Sequence, residues 1–300
     1  MEYKSIIKSR SIRIKIMRLL SFIPDSIMVK LQYKIKTGRT LNLKNPKRYT
    51  EKLQWYKVYY RDSLMAQCVD KYDVRKYVEK SGYASILNPV IGVYDTPDEI
   101  DFSVLPEQFV LKDTLGSGGN EVIIVTDKAK INWDNIKSKL YSWIKPKWGK
   151  HPGREWVYDQ GKSRILIENY ISSDKDKTGL IDYKFLCFDG KVRYVYVLCN
   201  RILGQGAQEG VFDAQFNLLP VSENDEEDLS LKIDKPKNFD ELVICAEKLS
   251  RPFPEARIDL YDVDNKIIFG EITFFDGNGY MMYTPDSFDY EMGKWFKLPK

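Results

Sequence analysis

Two acidic residues near the end of the sequence could together hold a cation. Arg257-Ile258-Asp259 and Glu271-Ile272-Thr273 each lie in an apolar run typical of a β-strand, and a turn-forming stretch, 262–265, separates them. Because side chains alternate along a strand, Arg257 and Asp259 share one face, as do Glu271 and Thr273. If the strands pair, the carboxylates repel each other unless an arginine or a cation compensates, and oxygen ligands suit Mg²⁺. The alternative is a solvent-facing strand pair with an Arg–Glu bridge.

A glycine-rich loop lies between two predicted strands, 108–112 and 121–125. Small residues let backbone N–H groups approach phosphate oxygens, and Lys112 adds a positive charge beside them. No Gly-Lys-Ser/Thr closes the loop and it opens no helix, which excludes a Walker A loop and a dinucleotide-binding fingerprint. The pattern favours a flap that folds over phosphates; the alternative is an ordinary glycine-rich hairpin. The residues of the loop that could approach phosphate are Gly116, Ser117, Gly118 and Gly119.

A third candidate is the end of the predicted strand 164–171, where Glu168 and Asn169 are followed by Ile171. An acid beside free backbone groups could bind the edge of an adenine ring. This pattern is weaker than the other two.

The composition narrows the chemistry. The chain has 300 residues, of which 43% are hydrophobic and 30% charged, typical of a folded protein with two or three lobes. His151 is the only histidine, and no two of the four cysteines form a Cys-x-x-Cys, so histidine-rich metal sites and zinc ribbons are excluded. No apolar run is long enough to span a bilayer and no secretory signal is predicted. We therefore expect a cytoplasmic protein whose chemistry depends on carboxylates, Lys and Arg.

The positive charge is concentrated at the N-terminus. Residues 1–48 contain 13 Lys and Arg but 2 acids, a net charge of +11, whereas the remainder has a net charge of −7. Helical spacing is predicted over 6–23 and again from 27 to a C-cap at Gly38. This pair of helices either contacts an anionic membrane through residues 1–40 or packs on its own domain. No motif that interleaves aromatic and basic residues accompanies the charge, so nucleic acid is not predicted as a partner.

The remaining segments alternate between helical and strand patterns. Residues 46–82 and 133–144 have helical periodicity, and Asp189-Gly190 predicts a tight hairpin between strands 182–189 and 192–200. Residues 203–236 are predicted to be a long loop with one short strand at 211–216. A helix over 238–250 precedes the two acidic strands.

Taken in order, these motifs resemble the TupA-like ATP-grasp family, which is found with bacterial surface-polysaccharide biosynthesis. The resemblance covers about residues 45–295. The segments that carry it are 45–55, 70–78, 111–112 before the glycine loop, 167–171, 182–185, 257–261 and 269–273.

The resemblance implies an α+β, ATP-grasp fold in which two α+β lobes clasp ATP. Four regions are expected: a basic helical extension (1–45), an N-terminal α/β lobe (46–105), a glycine-loop lobe that binds nucleotide (106–172) and a C-terminal lobe with the metal site (173–300).

The resemblance also implies roles for individual residues. Lys112 and the loop would bind the phosphates of ATP, Glu168 with the backbone of Asn169 and Ile171 the adenine, and Asp174 or Asp176 the ribose. Mg²⁺ would be held by Asp259, Glu271 and Thr273. Arg257 would lie near the transferred phosphoryl group, with Lys184 and Arg201 near the acceptor or the γ-phosphate. Backbone groups of Gly277, Asn278 and Gly279 would bind the substrate.

The implied activity is that of an ATP-dependent carboxylate–amine ligase that forms an amide through an acyl phosphate. The expected partners are ATP, a carboxylate-bearing sugar acceptor and an amine donor, at the inner face of the cell membrane. The alternative is a glycosyltransferase that uses the Asp-x-Asp sequence of Asp262 and Asp264, although aspartates also serve turn geometry.

Overall fold

The computed structural model describes residues 9–117, 119, 121–172, 180–202, 206–224 and 226–299, with only the backbone of 201 and 202. Helices and antiparallel sheets occupy separate parts of the chain, so the predicted α+β class is confirmed. None of the helices in these residues is both long and apolar enough to cross a membrane.

The described part of the N-terminal extension contains two helices, α1 (Arg10–Leu19) and α2 (Asp25–Thr37), joined by a 3₁₀ turn. Gly38 ends α2 with φ +72°, the left-handed C-cap predicted for it. One face of α2 packs on the loop that follows: Val29 and Tyr33 form a small core with Leu41 and Leu43.

Three helices follow: α3 (Tyr49–Tyr59), α4 (Ser63–Val69) and α5 (Val74–Lys80). Asp62 caps α4 because its carboxylate accepts a hydrogen bond from the N–H of Leu64 at 2.9 Å. The apolar faces of all three helices belong to the same core as the second sheet described below.

The first sheet has four antiparallel strands in the order β1–β4–β2–β3. The strands are β1 (Val90–Tyr94), β2 (Phe109–Asp113), β3 (Val122–Val125) and β4 (Ile165–Asn169). Helix α6 (Trp133–Ile144) buries Ile136, Leu140 and Trp143 against this sheet. The sheet and α6 thus enclose a hydrophobic core of their own.

The second sheet has six strands in the order β11–β10–β5–β6–β7–β9, antiparallel except for the pair β7–β9. It comprises β5 (Asp182–Phe188), β6 (Lys191–Ile202), β7 (Gly206–Asp213), β9 (Glu227–Asp228), β10 (Glu255–Val263) and β11 (Lys266–Thr273). Helix α7 (Phe239–Ser250) packs on β5, β6 and β10. Strands β8 (Ser222–Glu223) and β12 (Tyr283–Thr284) form a separate pair, and α8 (Ser287–Trp295) packs on α3.

The prediction of a long loop over 203–236 is wrong for its first part. Strand β7 runs from Gly206 to Asp213 and pairs with β6 over most of its length, whereas the predicted strand was 211–216. Two glycines interrupt the alternation of polar and apolar side chains by which this strand could be predicted from the sequence. Gly210 is required here, because a Cβ at that position would lie 2.3 Å from a methyl carbon of Leu229.

The two predicted hairpins are confirmed, and each turns through two residues with positive φ. Asp189 and Gly190 join β5 to β6 with φ values of 50° and 70°. Asp264 and Asn265 join β10 to β11 with φ values of 54° and 64°. Two consecutive left-handed residues match the twist of the flanking strands.

The close approach of α8 to the start of α3 requires Gly293. A Cβ at this position would lie 2.1 Å from the carbonyl oxygen of Lys47, and backbone cannot move aside cheaply. We predict that Gly293→Ala lowers the free energy of unfolding by about 1–3 kcal/mol. Helix propensity alone predicts the opposite sign, a gain of about 1 kcal/mol. Urea denaturation decides between them, with the exposed neighbour Lys294→Ala as the near-neutral control.

Candidate functional site

Strand register in the second sheet brings three charged side chains into one row. Asp259 of β10 lies opposite Lys184 of β5 on one side and opposite Glu271 of β11 on the other. Lys184 donates a hydrogen bond from Nζ to Oδ2 of Asp259. We call the two acids, Asp259 and Glu271, the acidic row. The pairing of the two carboxylate-bearing strands that the sequence suggested is therefore present.

Arg257 holds the acidic row together. Its guanidinium donates to both oxygens of Asp259, at 2.7 Å from Nε and 2.8 Å from Nη2. Nη2 also lies 3.2 Å from Oε1 of Glu271 and 3.2 Å from the hydroxyl of Thr273, while Nη1 donates to Asp276. A planar donor set of this kind matches carboxylates two bonds at a time. One guanidinium thus compensates the repulsion among three acids.

Lys184 carries the second compensating charge. Its Nζ lies 2.8 Å from Oδ2 of Asp182 in addition to its bond with Asp259. Burial disfavours the charged form of both partners, but Arg257 and Lys184 outweigh burial and lower the pKa of Asp259. Burial and the charge of Arg257 likewise disfavour the charged form of Lys184. Asp182 and Asp259 outweigh these effects, so the pKa of Lys184 is raised. The pair is ionised at neutral pH.

A β-bulge shapes the outer end of the row. Asp259 pairs with Glu271 but Leu260 pairs with Phe269, so Gly270 is the extra residue on β11. A Cβ on Gly270 would lie 2.9 Å from the carbonyl oxygen of Asp259. The glycine therefore permits the bulge that directs Glu271, which remains 40% exposed while Asp259 is 2% exposed.

The donors of the row fit Mg²⁺ in kind and number. Among the residues that the structure describes, no group of three His, Cys, Asp or Glu is close enough to form a metal cage. Mg²⁺ rarely uses such a cage: one or two carboxylates suffice when phosphates and water complete the shell. Asp259 and Glu271 provide two carboxylates side by side, and the hydroxyl of Thr273 lies 3.4 Å from Oε1 of Glu271. Arg257 and Lys184 occupy the oxygens of Asp259, so Glu271 is the more accessible donor.

The glycine loop is organised by a buried aspartate, Asp113, which sequence analysis did not single out. Its Oδ1 accepts a hydrogen bond from the N–H of Leu115 at 3.0 Å, and its carbonyl oxygen accepts one from Gly116 at 3.0 Å. Gly116 is buried at this turn and Ser117 is exposed, while Gly119 has φ +71°. Gly118 lies outside the described residues. Asp113 thus fixes the start of the loop, and Ser117 lies at the surface.

Lys71 connects the glycine loop to the acidic row. Its Nζ donates a hydrogen bond to the carbonyl oxygen of Gly116 and lies 3.8 Å from Oε2 of Glu271. Its backbone N–H donates to the carbonyl oxygen of Thr114 at 2.9 Å. The first and second sheets therefore meet at this lysine, with the loop and the two acids on either side of it.

The predicted adenine site contains a buried charge pair. Nζ of Lys112 lies 2.7 Å from Oε2 of Glu168, and Arg75 lies 3.5 Å from the other oxygen of that carboxylate. The N–H of Asn169 donates to Pro89 at 3.1 Å, and its carbonyl oxygen accepts from Asn88 at 2.8 Å. The backbone of Asn169 therefore has protein partners already, although its oxygen retains a second lone pair.

Of the other residues predicted here, Ile171 is half-buried beyond the end of β4. Asp174 and Asp176 lie outside the described residues, as does the side chain of Arg201.

The predicted substrate turn has an unusual backbone. Gly277, Asn278 and Gly279 are all left-handed, with φ values of 48°, 59° and 63°. Lys57 of α3 is buried beneath it and donates to the carbonyl oxygen of Asn278 at 2.7 Å and to that of Gly153 at 3.2 Å. The side-chain amide of Gln54 donates to the carbonyl oxygens of Asn278 and Gly279 at 2.9 and 2.8 Å. Helix α3 therefore holds the strained turn through two side chains.

Two further buried groups surround these sites. Burial lowers the pKa of Lys57 to about 7, and the nearby carboxylate of Glu155 opposes that shift. On β7, burial and repulsion from Asp276 raise the pKa of Glu209 to about 8, so that this acid is protonated at neutral pH. Its Oε1 has no hydrogen-bond partner among the described residues.

The Asp-x-Asp pair lies at the far end of the β10–β11 hairpin. Asp264 is the first left-handed residue of the turn, and Asp262 accepts a hydrogen bond from the amide of Asn238 at 3.1 Å. Both residues thus have structural roles in or beside the turn. Nothing in this geometry favours a nucleotide-sugar site.

Comparison with known proteins agrees with the geometry. The family described as TupA-like ATPgrasp matches residues 51–297. The chain belongs to the TupA-like ATP-grasp family. The resemblance recognised from its motifs is confirmed, and with it the ATP-grasp fold. No protein of curated function matches the chain significantly in sequence.

Several solved structures resemble this ATP-grasp chain at a distance. D-alanine–D-alanine ligase from Helicobacter pylori shares 13% identity over 83% of this chain and 68% of its own, with a TM-score of 0.44. An ATP-analogue complex of biotin carboxylase from Campylobacter jejuni shares 13% identity over 78% of this chain, with a TM-score of 0.40. The chain spans 47% of that carboxylase chain, and 62% and 57% of two other matched ligase chains. Similarity at this distance carries no argument about function.

Four further residues of the site escaped sequence analysis. They are Lys71, Asp182, Glu209 and Asp276. Lys71 and Asp182 lie in segments that carried the family resemblance, which was the available signal. Asp276 directly precedes the predicted substrate turn, and Glu209 had no signal because its strand was predicted to be loop.

The single histidine provides a test of this buried region. His151 accepts a hydrogen bond on Nδ1 from the N–H of Gly153 at 3.3 Å. Burial lowers its pKa to about 3, and the charges of Lys57 and Arg18 act in the same direction. We predict that the one imidazole Cε1–Hε1 NMR signal keeps a constant shift from pH 8 down to about pH 4.5.

The urea-unfolded chain is the control, and its histidine should titrate near pH 6.5. Because the unfolded chain binds this proton at higher pH than the folded chain, His151 lowers the stability as pH falls below about 6.5. A folded-state titration near pH 6 would contradict the lowered pKa of this half-buried histidine.

Proposed function

We propose that this protein is an ATP-dependent carboxylate–amine ligase. The observation that carries the proposal is the contact of Lys71 with both the glycine loop and Glu271, because it brings the loop beside the carboxylate pair. Membership of the ATP-grasp family supports the same reading. The buried cations Arg257 and Lys184 lie beside the carboxylate pair, which suits a reaction that depends on positioning and charge.

In the first step a substrate carboxylate oxygen attacks the γ-phosphorus of ATP, the bond to the β-γ bridging oxygen breaks, and ADP leaves. Lys112 binds the α- and β-phosphates, and the backbone of Gly116–Gly119 covers them. To bind phosphate, Lys112 gives up its ion pair with Glu168. Arg257 and Lys184 are buried cations beside the row and stabilise negative charge on the transferred group.

Asp259 and Glu271 would hold Mg²⁺, with Thr273 as a weaker neutral donor. When bound, the ion neutralises charge on the phosphates. Hydrogen bonds from Arg257 fix the orientation of both carboxylates before the ion binds.

In the second step an amine attacks the carbonyl carbon of the acyl phosphate, phosphate leaves, and the amine loses a proton to give the amide. The left-handed turn Gly277–Gly279 would place backbone donors near the substrate, and Arg257 would face the oxyanion. We propose a uronic-acid or other carboxylate-bearing sugar as acceptor and an amino acid or amine as donor, in line with the family's association with surface polysaccharides. Such acceptors belong to a membrane-associated pathway, so we also propose peripheral contact with an anionic membrane through residues 1–40.

The direct experiment incubates the protein with Mg²⁺-ATP, a uronic-acid acceptor and mixed amino acids. ADP formation together with a mass gain on the acceptor, equal to amine minus water, supports the ligase. Release of UDP from a nucleotide sugar without ADP formation would instead support the glycosyltransferase.

Nucleotide binding should stabilise the protein, because the proposed site lies between the two sheets. We predict that Mg²⁺-ATP raises the melting temperature, corresponding to about 2.7 kcal/mol at a hundredfold excess over Kd. Lys112→Met should abolish most of this shift, whereas Lys130→Met, at an exposed position away from the site, should keep it. A site elsewhere would leave the shift in Lys112→Met intact.

Glu271 is the sharpest test of the carboxylate pair. Asp259→Asn would remove the buried carboxylate that Arg257 and Lys184 share and would cost about 3–5 kcal/mol of folding stability, so a loss of activity in this variant would not separate catalysis from folding. Glu271 is 40% exposed, and Glu271→Gln should fold normally. We predict that this variant loses at least ~100-fold in ADP formation, or ~2.7 kcal/mol of transition-state stabilisation.

Matched variants complete that test. Thr273→Ala should lose less activity than Glu271→Gln, since a hydroxyl is the weaker donor. Asp262→Asn and Asp264→Asn should remain within about twofold of the wild type, because these residues serve the hairpin. Near-normal turnover of folded Glu271→Gln protein would rule out the assigned site.

A further inference from the structure

Helix α2 has two different apolar faces, and only one of them is buried. Met28, Val29 and Tyr33 face inward and are at most 1% exposed. On the opposite side Ile27, Leu31 and Ile35 are 57, 49 and 48% exposed. A single aliphatic residue at a protein surface is ordinary, but three in one stripe indicate a surface that contacts another molecule or a membrane.

Two lysines complete the outward stripe. Lys30 and Lys34 are exposed, and with the three aliphatic residues they follow the spacing i, i+3, i+4, i+7 and i+8 of one helix face. The stripe runs along about 12 Å of helix. Long lysine stems can lie along apolar surface while the ammonium groups reach polar groups above it. We call Ile27, Lys30, Leu31, Lys34 and Ile35 the α2 outer face.

The turn before α2 extends this surface. Leu19 and Phe22 are 67 and 79% exposed, and Phe22 ends the 3₁₀ turn that joins the two helices. The turn is fixed to the body of the protein, since Arg154 donates to the carbonyl oxygen of Leu20 at 2.7 Å. Arg18 donates to the carbonyl oxygen of Trp148 at 2.6 Å, which places an exposed indole beside the same turn. Aromatic rings of this kind favour the interface between water and lipid.

The segment that carries the α2 outer face is strongly basic. Asp25 is the only acid between residues 9 and 48. Its carboxylate is compensated by Lys150 at 2.8 Å and Arg154 at 3.4 Å. A twofold dimer through this face would bring two strongly basic segments together and would be opposed by repulsion. An anionic surface that also accepts aliphatic side chains fits both properties.

We propose that the α2 outer face, with Leu19 and Phe22, is the surface by which the protein docks on an anionic lipid bilayer. The proposal rests on the peripheral membrane contact proposed above and assigns it to one face of one helix. The aliphatic side chains enter the boundary between headgroups and acyl chains, and the lysines contact lipid phosphates. The helix lies in the plane of the bilayer with its buried face still packed on the protein.

A site-specific label tests the surface directly. The four cysteines are all buried, so Leu31→Cys can be labelled selectively with an environment-sensitive fluorophore. Ile244→Cys on α7, at 62% exposure, is the matched control. We expect the Leu31 label to brighten and shift to the blue with phosphatidylglycerol-containing vesicles, and to lose this response at high salt. The Ile244 label should not respond, and pure phosphatidylcholine vesicles should have little effect on either.

Vesicle sedimentation then distinguishes membrane contact through the α2 outer face from membrane contact through other parts of residues 1–40. The triple variant Ile27→Ser, Leu31→Ser, Ile35→Ser should lose at least about tenfold in partitioning onto anionic vesicles while its ADP formation is unchanged. Binding equal to the wild type would refute the outer face but leave membrane contact through other residues. No vesicle binding by the wild type would refute both, and a dimer in solution that the triple variant dissolves would assign the face to a second copy. Ligase activity is measured separately, so its absence bears on the proposed function alone.

Discussion

The arrangement of the site depends on one buried guanidinium. Arg257 donates to Asp259, Glu271, Thr273 and Asp276, and together with Lys184 it makes a concentration of acids tolerable inside a sheet. Without these cations the carboxylates would repel each other or take up protons, as Glu209 does at the edge of the group. The register of β5, β10 and β11 is therefore coupled to charge compensation, because a slip of one residue would turn every one of these groups to the other face.

The second constraint is the meeting of two independent hydrophobic cores. One belongs to the four-stranded sheet and α6, the other to the six-stranded sheet with α3–α5, α7 and α8. Polar contacts cross between them at Lys71, which reaches a loop carbonyl in one part and Glu271 in the other. A ligand with several negative charges could replace these contacts, which gives a physical reason for nucleotide binding at this position.

Polar groups buried beside α3 have a different role, since they support a backbone turn. Lys57 and Gln54 hold the carbonyl oxygens of a turn with three consecutive left-handed residues, one of which is an asparagine. Such a conformation persists only where the surroundings enforce it, and it usually marks a functional segment. The basic extension keeps an aliphatic stripe of α2 in solvent even though the helix has a second face that is packed on the protein. Stability alone explains neither feature.

Local sequence patterns were sufficient to predict most secondary-structure elements and the kinds of chemistry. Alternation placed Arg257 with Asp259 and Glu271 with Thr273, glycine and aspartate marked both hairpins, and the ordered motifs identified the family. Strand β7 could not be predicted, because two glycines interrupt its alternation and its packing against Leu229 is a tertiary contact. The partnership of Lys184 with Asp259, the link made by Lys71 and the support of the substrate turn by Lys57 were decided only by the tertiary structure. Local periodicity shows which side chains share a face, whereas strand register and the contact between sheets depend on residues that are far apart in the chain.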